Sequence, residues 1–541
     1  MKQLIYTRRE MLSVTSKAVL ASTIAPQFAS AREKKSSQSF GAVVGEPVAS
    51  KIGEKFLRDG GNAIDAAIAT AFASGITSPS KCGIGGYGGH AVIALANGKV
   101  AAIDFNSVAP MAAREDMFPL DEKGRVKNNL NYHGWLAVGV PGTLAGLGLA
   151  LERYGTRSLG DILAPTIHLC EEGVVVAKES NAEAALDASR NDPRPESVKK
   201  TETAPKEKNL KLAAMLRTLA KRNSVDSFYR GDISQTIAAS FHKNGGLVTA
   251  KDLTAYRARE VRPIKLDWNG LTIHVAPLTS PGIMLLEAFS ILKKLEWEKL
   301  SSLQRLHAKL EAMRIAWADR GRYFGDPDKV NVPVKRLLST DHAEAMSKKV
   351  RAALIEKKPV ALETDSNNDE GTINISAVDQ NGNMIAITLT HGSGFGARVS
   401  VEEFGMLLGH GMWRFDPRPG RPNSPGPGKR CVNNMCPAAI TRNGKPILAI
   451  GGAGGTRIPN SIYEVVLNYV GLGQSMEQAM NATRLDTDGS LKLGVEKDHS
   501  VEEKNFLKEL GYKISSGPSA FVSAVSFDEK IGARGISRGG I

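Results

Sequence analysis

Glu363-Thr364-Asp365-Ser366-Asn367-Asn368-Asp369-Glu370-Gly371-Thr372-Ile373-Asn374-Ile375-Ser376-Ala377-Val378-Asp379 runs from an acidic, polar linker straight into a strand-like stretch, with Thr372 at the junction. A hydroxyl residue between an exposed linker and a buried strand is where a self-cleaving enzyme needs its nucleophile. Cutting the Gly371–Thr372 bond would give Thr372 a free α-amine, which can act as general base for its own hydroxyl. The alternative reading is a loop threonine that simply opens a hairpin.

Working outward, Asn381-Gly382 reads as a hairpin turn and Met384–Thr390 as the return strand. That hairpin would bring Thr390 beside Thr372, where a second hydroxyl could orient or polarise the first; Thr388 and Thr390 also suit a strand on β-propensity alone. Further on, the strand Pro446–Ile450 leads into Gly451-Gly452-Ala453-Gly454-Gly455-Thr456-Arg457, with a helix expected from about Asn460 to Tyr469. A glycine loop between strand and helix offers backbone N–H groups to a phosphate or to the oxyanion of acyl transfer. No Walker lysine is present, so the oxyanion role is favoured.

The chain has 541 residues and ordinary hydrophobic content, enough for one large bilobal domain or two fused ones, without internal repeats. Thr7-Arg8-Arg9-Glu10-Met11-Leu12, an apolar run from Ala18 to Phe28 and the small-residue site Ala29-Ser30-Ala31 form the pattern of a twin-arginine export signal. Cleavage after Ala31 is expected, leaving a periplasmic or secreted protein with no stable membrane insertion. Net charge is +14; Lys2, Arg8, Arg9 and Lys17 against Glu10 account for +3 of it, so +11 remains. The basic residues are spread out without interleaved aromatics, which supports no nucleic-acid partner. Cys82, Cys170, Cys431 and Cys436 are too few for a disulfide framework and match no zinc spacing. Cys431 and Cys436 could pair or remain buried thiols.

Helical periodicity covers Glu46–Ala73, Trp135 to about Lys221, and Ser302–Glu356, while Leu266–Val275 reads as two short strands before a helix that starts at Thr279-Ser280-Pro281-Gly282. The turn Gly83–Gly89 matches G-x-G-x-x-G, yet it follows a helix and precedes the strand His90–Leu95. That order is the reverse of a dinucleotide fingerprint, so it reads as a packing turn.

These residues resemble the γ-glutamyltranspeptidases, or glutathione hydrolases, which are N-terminal nucleophile hydrolases. The resemblance runs through Gly60–Ala67, Gly134–Thr143, Gly245–Thr249 with Asp252-Leu253, Ala318-Asp319-Arg320, Gly325-Asp326-Pro327, Thr372–Asp379, Met435-Cys436-Pro437 and Gly454–Ile458. It implies an α+β fold, a four-layer αββα sandwich. It also implies cleavage between Gly371 and Thr372 into a large segment, 32–371, and a small one, 372–541, held as a heterodimer. By the resemblance Thr372 is the nucleophile, Thr390 the assisting threonine, and Gly454 and Gly455 the oxyanion-hole glycines. No metal or organic cofactor is implied.

The substrate pocket departs from the family's pattern. The arginine that clamps the α-carboxylate falls on Asn106, an asparagine on Gly392, the ammonium-binding glutamine and aspartate on Gly411 and Arg414, and two serines on Asn433 and Asn434. A guanidinium in place of a carboxylate reverses the local charge. If Arg414 points inward, it suits an anionic acyl group without an α-amine; it could instead face solvent. The short, proline- and glycine-rich loop Asp416–Lys429 suggests an open cleft without a lid. The expected activity is a threonine amidohydrolase or acyltransferase on small-molecule amides. By family default these are glutathione and γ-glutamyl amides; an acylase on dicarboxylyl or other amides is the alternative. An exported non-catalytic binding protein and a phosphate-ligand enzyme are the remaining hypotheses.

Overall fold

The computed structural model describes residues 32–34, 40–174, 206–363 and 372–539. The expected signal sequence, residues 364–370 and Gly371 lie outside the described residues.

Two sheets form the centre. The first has the order β2-β8-β9-β3-β4-β5: Gly41–Val44, Ile373–Asp379, Met384–Thr390, Gly88–Ala94, Val100–Asp104 and Arg259–Val261. The second has the order β1-β18-β17-β13-β12-β7-β6: Arg32–Lys34, Gly532–Arg538, Phe521–Asp528, Lys445–Ala453, Ala438–Arg442, Leu271–Val275 and Ile264–Trp268. Outside these, β10 (Ser400–Val401) pairs with β11 (Met406–Leu407), and β14 (Leu485–Thr487), β15 (Lys492–Val495) and β16 (Lys513–Ser516) make a small sheet.

The sheets pack face to face, β13 and β17 against β8 and β9, and helices cover both outer faces, which completes the αββα sandwich. Alternation along the strands builds these layers. Ile373, Ile375 and Ala377 of β8 join a core with the helix Ala63–Thr77, whereas Val378 shares a separate apolar cluster between the sheets with Met384, Ala449 and Val525. Behind the second sheet, Ile440, Leu448 and Ile450 pack with Ile283, Leu286 and Phe289 of the helix Gly282–Leu295.

Motifs conspicuous in the sequence serve this frame. Asn62 caps the helix Ala63–Thr77 in a capping box with Asp65, and Asp379, at the end of β8, accepts from the Ala63 amide at 3.1 Å. The Gly60-Gly61 pair thus divides the expected run Glu46–Ala73 into the helices Pro47–Arg58 and Ala63–Thr77. Gly83–Gly89 is the packing turn expected: Gly88 has φ +133°, and a Cβ there would lie 1.9 Å from the Phe105 carbonyl oxygen. The helix expected from about Asn460 to Tyr469 begins earlier, at Arg457, and runs on past Val466 as a π-helical turn, Leu467–Gly471. Among the described residues no helix is long and apolar enough to cross a membrane.

Candidate active site

Thr372 is 4% exposed at the head of β8. The register pairs Ile373 with Leu389, so one further step sets Thr372 opposite Thr390, which pairs on its other side with Gly88 of β3. By the strand's alternation Thr372 shares the inter-sheet face with Asn374 and Ser376. Thr390 is fixed by its own turn: its Oγ1 accepts from the Gly392 amide at 2.7 Å and donates to the Gly392 carbonyl at 3.2 Å.

Beneath the two threonines the inter-sheet layer is polar. The Asn374 amide is satisfied with its nitrogen toward Thr388 Oγ1 (2.7 Å) and the Ile387 carbonyl (2.9 Å), and its oxygen toward Ser523 Oγ of β17 (2.7 Å). Ser376 Oγ donates to the Ser523 carbonyl at 3.0 Å. Gly451 of β13 leaves room for this, since a Cβ there would sit 2.1 Å from the Asn374 amide.

The glycine loop arrives at the same end of the sandwich. Val378 clusters with Ala449, and Asn374 meets Gly451, so moving up β8 toward Thr372 is moving along β13 toward Gly454. After Ala453 the chain turns through Gly454 (φ +138°) and Gly455 (φ +64°) into the helix Arg457–Val466. Within this turn the carbonyls accept: Gly454 O from Arg457 N (3.3 Å) and Nε (3.1 Å), and Gly455 O from Ile458 N (3.2 Å). The amides of both glycines take no part in those bonds. A strand end, a positive-φ turn and a helix start are the parts of an oxyanion-binding corner.

The residues assigned to the pocket have different fates. Asn106 is fully buried and its side chain is enclosed: Nδ2 donates to Thr279 Oγ1 (2.8 Å) and the Cys431 carbonyl (2.5 Å), while Oδ1 accepts from the Ser107 amide (3.0 Å). Asn433 is likewise bound into the fold, with Nδ2 donating to His90 Nε2 (3.0 Å) and Oδ1 accepting from Met435 N (2.8 Å). Asn434 is buried, and its Oδ1 has no hydrogen-bond donor among the described groups. Gly392 and Gly411 are sterically required: a Cβ on Gly392 (φ +113°) would lie 1.8 Å from His410 Nε2, and one on Gly411 2.5 Å from Ser107 Oγ.

Arg414 ends a short 3-10 turn, Gly411–Arg414, half-buried. It turns toward the fold, with Nε donating to the hydroxyl of fully buried Tyr87 at 3.0 Å and the guanidinium over the Tyr87 and Trp413 rings at 5.7 and 5.1 Å. Tyr87 adjoins Gly88, the partner of Thr390, so one strand pairing and one side chain link this arginine to the threonine pair. Behind it, Arg320 donates to the Asn433 carbonyl at 3.0 Å; burial and the Arg414 charge press its guanidinium down to about 10. Sequence reading quoted Tyr87 and Arg320 within motifs and gave neither a role; the surplus of basic over acidic residues was the available signal.

A second buried system lies beside Asn106. Arg259 Nη2 reaches Asp104 Oδ2 at 2.7 Å and Arg430 Nε lies 3.5 Å from it. Against the burial that raises it, Arg430 and Arg259 hold the Asp104 carboxyl low, while burial drives the His90 imidazole down to about 4. His90 is therefore neutral, and because its Nε2 accepts from Asn433, its proton sits on Nδ1 facing Asp104. All four cysteines are free and buried, so Cys431 and Cys436 do not pair; burial pushes the Cys431 thiol up to about 12. The loop Asp416–Lys429 is tied to itself, with Arg418 paired to Asp416 at 2.6 Å and Lys429 Nζ on the Pro422 carbonyl at 3.1 Å.

The Gamma-glutamyltranspeptidase family profile matches residues 49–536. The chain is 34% identical over 496 residues to the glutathione hydrolase proenzyme of Escherichia coli K12, covering 87% of this chain and 85% of that one. It is 33% identical over 520 residues to the Acylase ACY 1 proenzyme of Pseudomonas sp. SE83, covering 92% and 91%. The structure of cephalosporin acylase from Bacillus halodurans superposes with a TM-score of 0.83 at 26% identity, covering 96% of each chain. A buried threonine pair at the mouth of an αββα sandwich, a glycine corner beside it and this whole-length similarity converge: the chain belongs to the gamma-glutamyltranspeptidase family.

Proposed function

We propose that the chain is the precursor of an N-terminal threonine amidohydrolase, cut between Gly371 and Thr372 into segments 32–371 and 372–541 that stay together. The observation that carries this reading is the placement of Thr372 opposite Thr390 at the sandwich end where Gly454 and Gly455 turn. In the reaction the freed α-amine takes the Thr372 hydroxyl proton, and Oγ attacks the amide carbonyl. The carbonyl oxygen becomes an oxyanion facing the Gly454 and Gly455 amides, and the leaving amine departs with the proton. Water or a second amine then attacks the ester on Thr372 and releases the acyl group. Losing one oxyanion donor costs roughly a hundredfold to a thousandfold in such reactions. Neither metal nor organic cofactor enters these steps.

For the acyl group we favour one that ends in a carboxylate and lacks an α-ammonium, such as a glutaryl amide, over the γ-glutamyl group of glutathione. Arg414 against Tyr87, backed by Arg320, makes the pocket wall cationic where an ammonium would need an anion, and the similarity to proteins named acylase agrees with that choice. Residues 1–31 act in this reading as a twin-arginine signal, so the mature enzyme works in the periplasm or outside the cell.

Intact mass measurement of the purified chain beside Thr372→Ala tests the first step: two segments parting before Thr372 in the parent and one uncut chain in the variant are expected. An uncut parent would favour a binding protein instead. Glutaryl-p-nitroanilide and γ-glutamyl-p-nitroanilide then test the second, with faster release from the glutaryl compound expected.

A further inference from the structure

Behind the second sheet, three mutually packed helices bring a histidine and two carboxylates together. Glu287 lies in the helix Gly282–Leu295, Asp319 in Ser302–Tyr323 and His342 in the first turn of Thr340–Glu356. One ligand atom from each falls within 4.8 Å of the others, the only such group among the described residues. His342 Nε2 is 2.8 Å from Glu287 Oε1 and 3.5 Å from Asp319 Oδ2. No spacing in the sequence announced this cluster, because its members come from three separate helices.

The charge arrangement is unfinished. Glu287 is fully buried, and its second oxygen, Oε2, has no hydrogen-bond donor among the described groups. An isolated buried carboxylate costs several kcal/mol or more unless it is paired, protonated or bound to a metal. Asp319 brings a second carboxylate to the same place. The basic side chain acting on Glu287, Arg336, lies over the Tyr323 ring at 4.7 Å. Asp319 keeps some exposure, with 19% of its side chain open, so an ion has a way in.

We propose that Glu287, Asp319 and His342 form a binding site for a divalent transition-metal ion, of which zinc is the best match. Zinc takes imidazole nitrogen and carboxylate oxygen at about 2.0–2.2 Å, which in a tetrahedron sets neighbouring ligands about 3.4 Å apart. The observed 2.8 and 3.5 Å separations bracket that spacing. Magnesium and calcium prefer oxygen ligands throughout and are disfavoured by the imidazole. The ion would clamp three helices behind the second sheet. Asp319 also precedes Arg320, whose guanidinium holds the Asn433 carbonyl, so the clamp would fix the helix end that backs the cationic pocket wall.

The test uses the full, tag-free chain, stripped with a chelator and titrated with zinc ion alone by calorimetry and by thermal unfolding. One zinc per chain with a rise in Tm is expected, cobalt(II) should give a tetrahedral visible band, and magnesium should give neither. Glu287→Gln keeps size and shape, and should weaken zinc binding at least tenfold without unfolding the chain; His342→Gln should abolish the cobalt band. Failure of the stripped parent to take up a stoichiometric ion overturns the site. So does uptake that both variants leave unchanged, which would put the ion elsewhere. A parent that ignores zinc while Glu287→Gln raises its Tm would identify a shared proton in place of the metal.

Discussion

Asn374 of β8 and Ser523 of β17 meet across the space between the sheets, 2.7 Å from amide to hydroxyl, two residues below the proposed nucleophile. This contact ties the strand that carries Thr372 to the opposite sheet. Asn374→Ala would leave Ser523 and Thr388 without their buried partner, at a cost of about 1–3 kcal/mol. A lower Tm and slower appearance of the two segments on a denaturing gel are the expected results. Unchanged maturation would show that Thr372 is positioned without this bond.

Arg414→Met removes the cation beside Tyr87 while keeping much of the stem. A hydrogen bond to a charged group contributes about 1.5–3 kcal/mol, so KM for a glutaryl amide should rise roughly tenfold to a hundredfold. Maturation should continue, since Arg414 is not among the groups that cut the chain. Equal kinetics in parent and variant would remove Arg414 from the pocket.

Gly392→Asn restores the side chain that the family pattern carries and should nevertheless impair the protein. The new Cβ would meet His410 Nε2 at 1.8 Å on a backbone with φ +113°, a region only glycine enters without strain. A large loss of Tm or of soluble protein is expected. Asn106→Arg should fail in the same way, because Thr279 and Cys431 close around Asn106. Gain of γ-glutamyl activity by either change alone would contradict this packing account.

Acid should destabilise the fold well above the carboxylate range. His90, His391 and His410 are buried, and burial brings their imidazoles from 6.5 down to about 4, about 4 and about 3. His410 is held neutral by accepting from Ser393 N at 2.8 Å through Nε2 while Nδ1 faces the Tyr132 carbonyl at 3.0 Å. Between pH 4 and 6.5 the unfolded chain binds more protons than the folded one. Stability is therefore fully present above about pH 6.5 and falls as pH drops, with a slope approaching about 4 kcal/mol per pH unit when all three contribute. Urea midpoints of the uncut Thr372→Ala chain from pH 8 to 5 should be level and then descend; a level line throughout would refute it.

The hairpin was legible because Ile373, Ile375, Ile385, Ile387 and Leu389 alternate with Asn374, Ser376, Thr388 and Thr390 at the Thr372 end of β8 and β9, although Val378, Met384 and Ala386 make the far end of the same face apolar; the register then sets Thr372 opposite Thr390. Gly454 and Gly455 were legible as glycines between a strand and a helix. The structure starts that helix at Arg457, ahead of the expected Asn460, with Pro459 in its first turn, where proline is tolerated. The pocket was not legible, since what occupies it is decided by distant partners. Asn106 is enclosed by residues 173 and 325 positions away, and Gly392 is dictated by a histidine ring that no local pattern announces. Whether Arg414 faced in or out likewise depended on Tyr87, far away in the chain.

The interleaving of the two segments has a mechanical consequence. In the first sheet β8 and β9, from the small segment, are bonded between β2 and β3 of the large one; in the second, β12 is bonded to β7 and β18 to β1. A cut before Thr372 would thus sever the chain without creating a separable boundary, because four ladders still stitch the pieces together. The products would travel as one particle through any column run without denaturant. Fragments made separately would each present several unpaired strand edges and should aggregate before they could find one another.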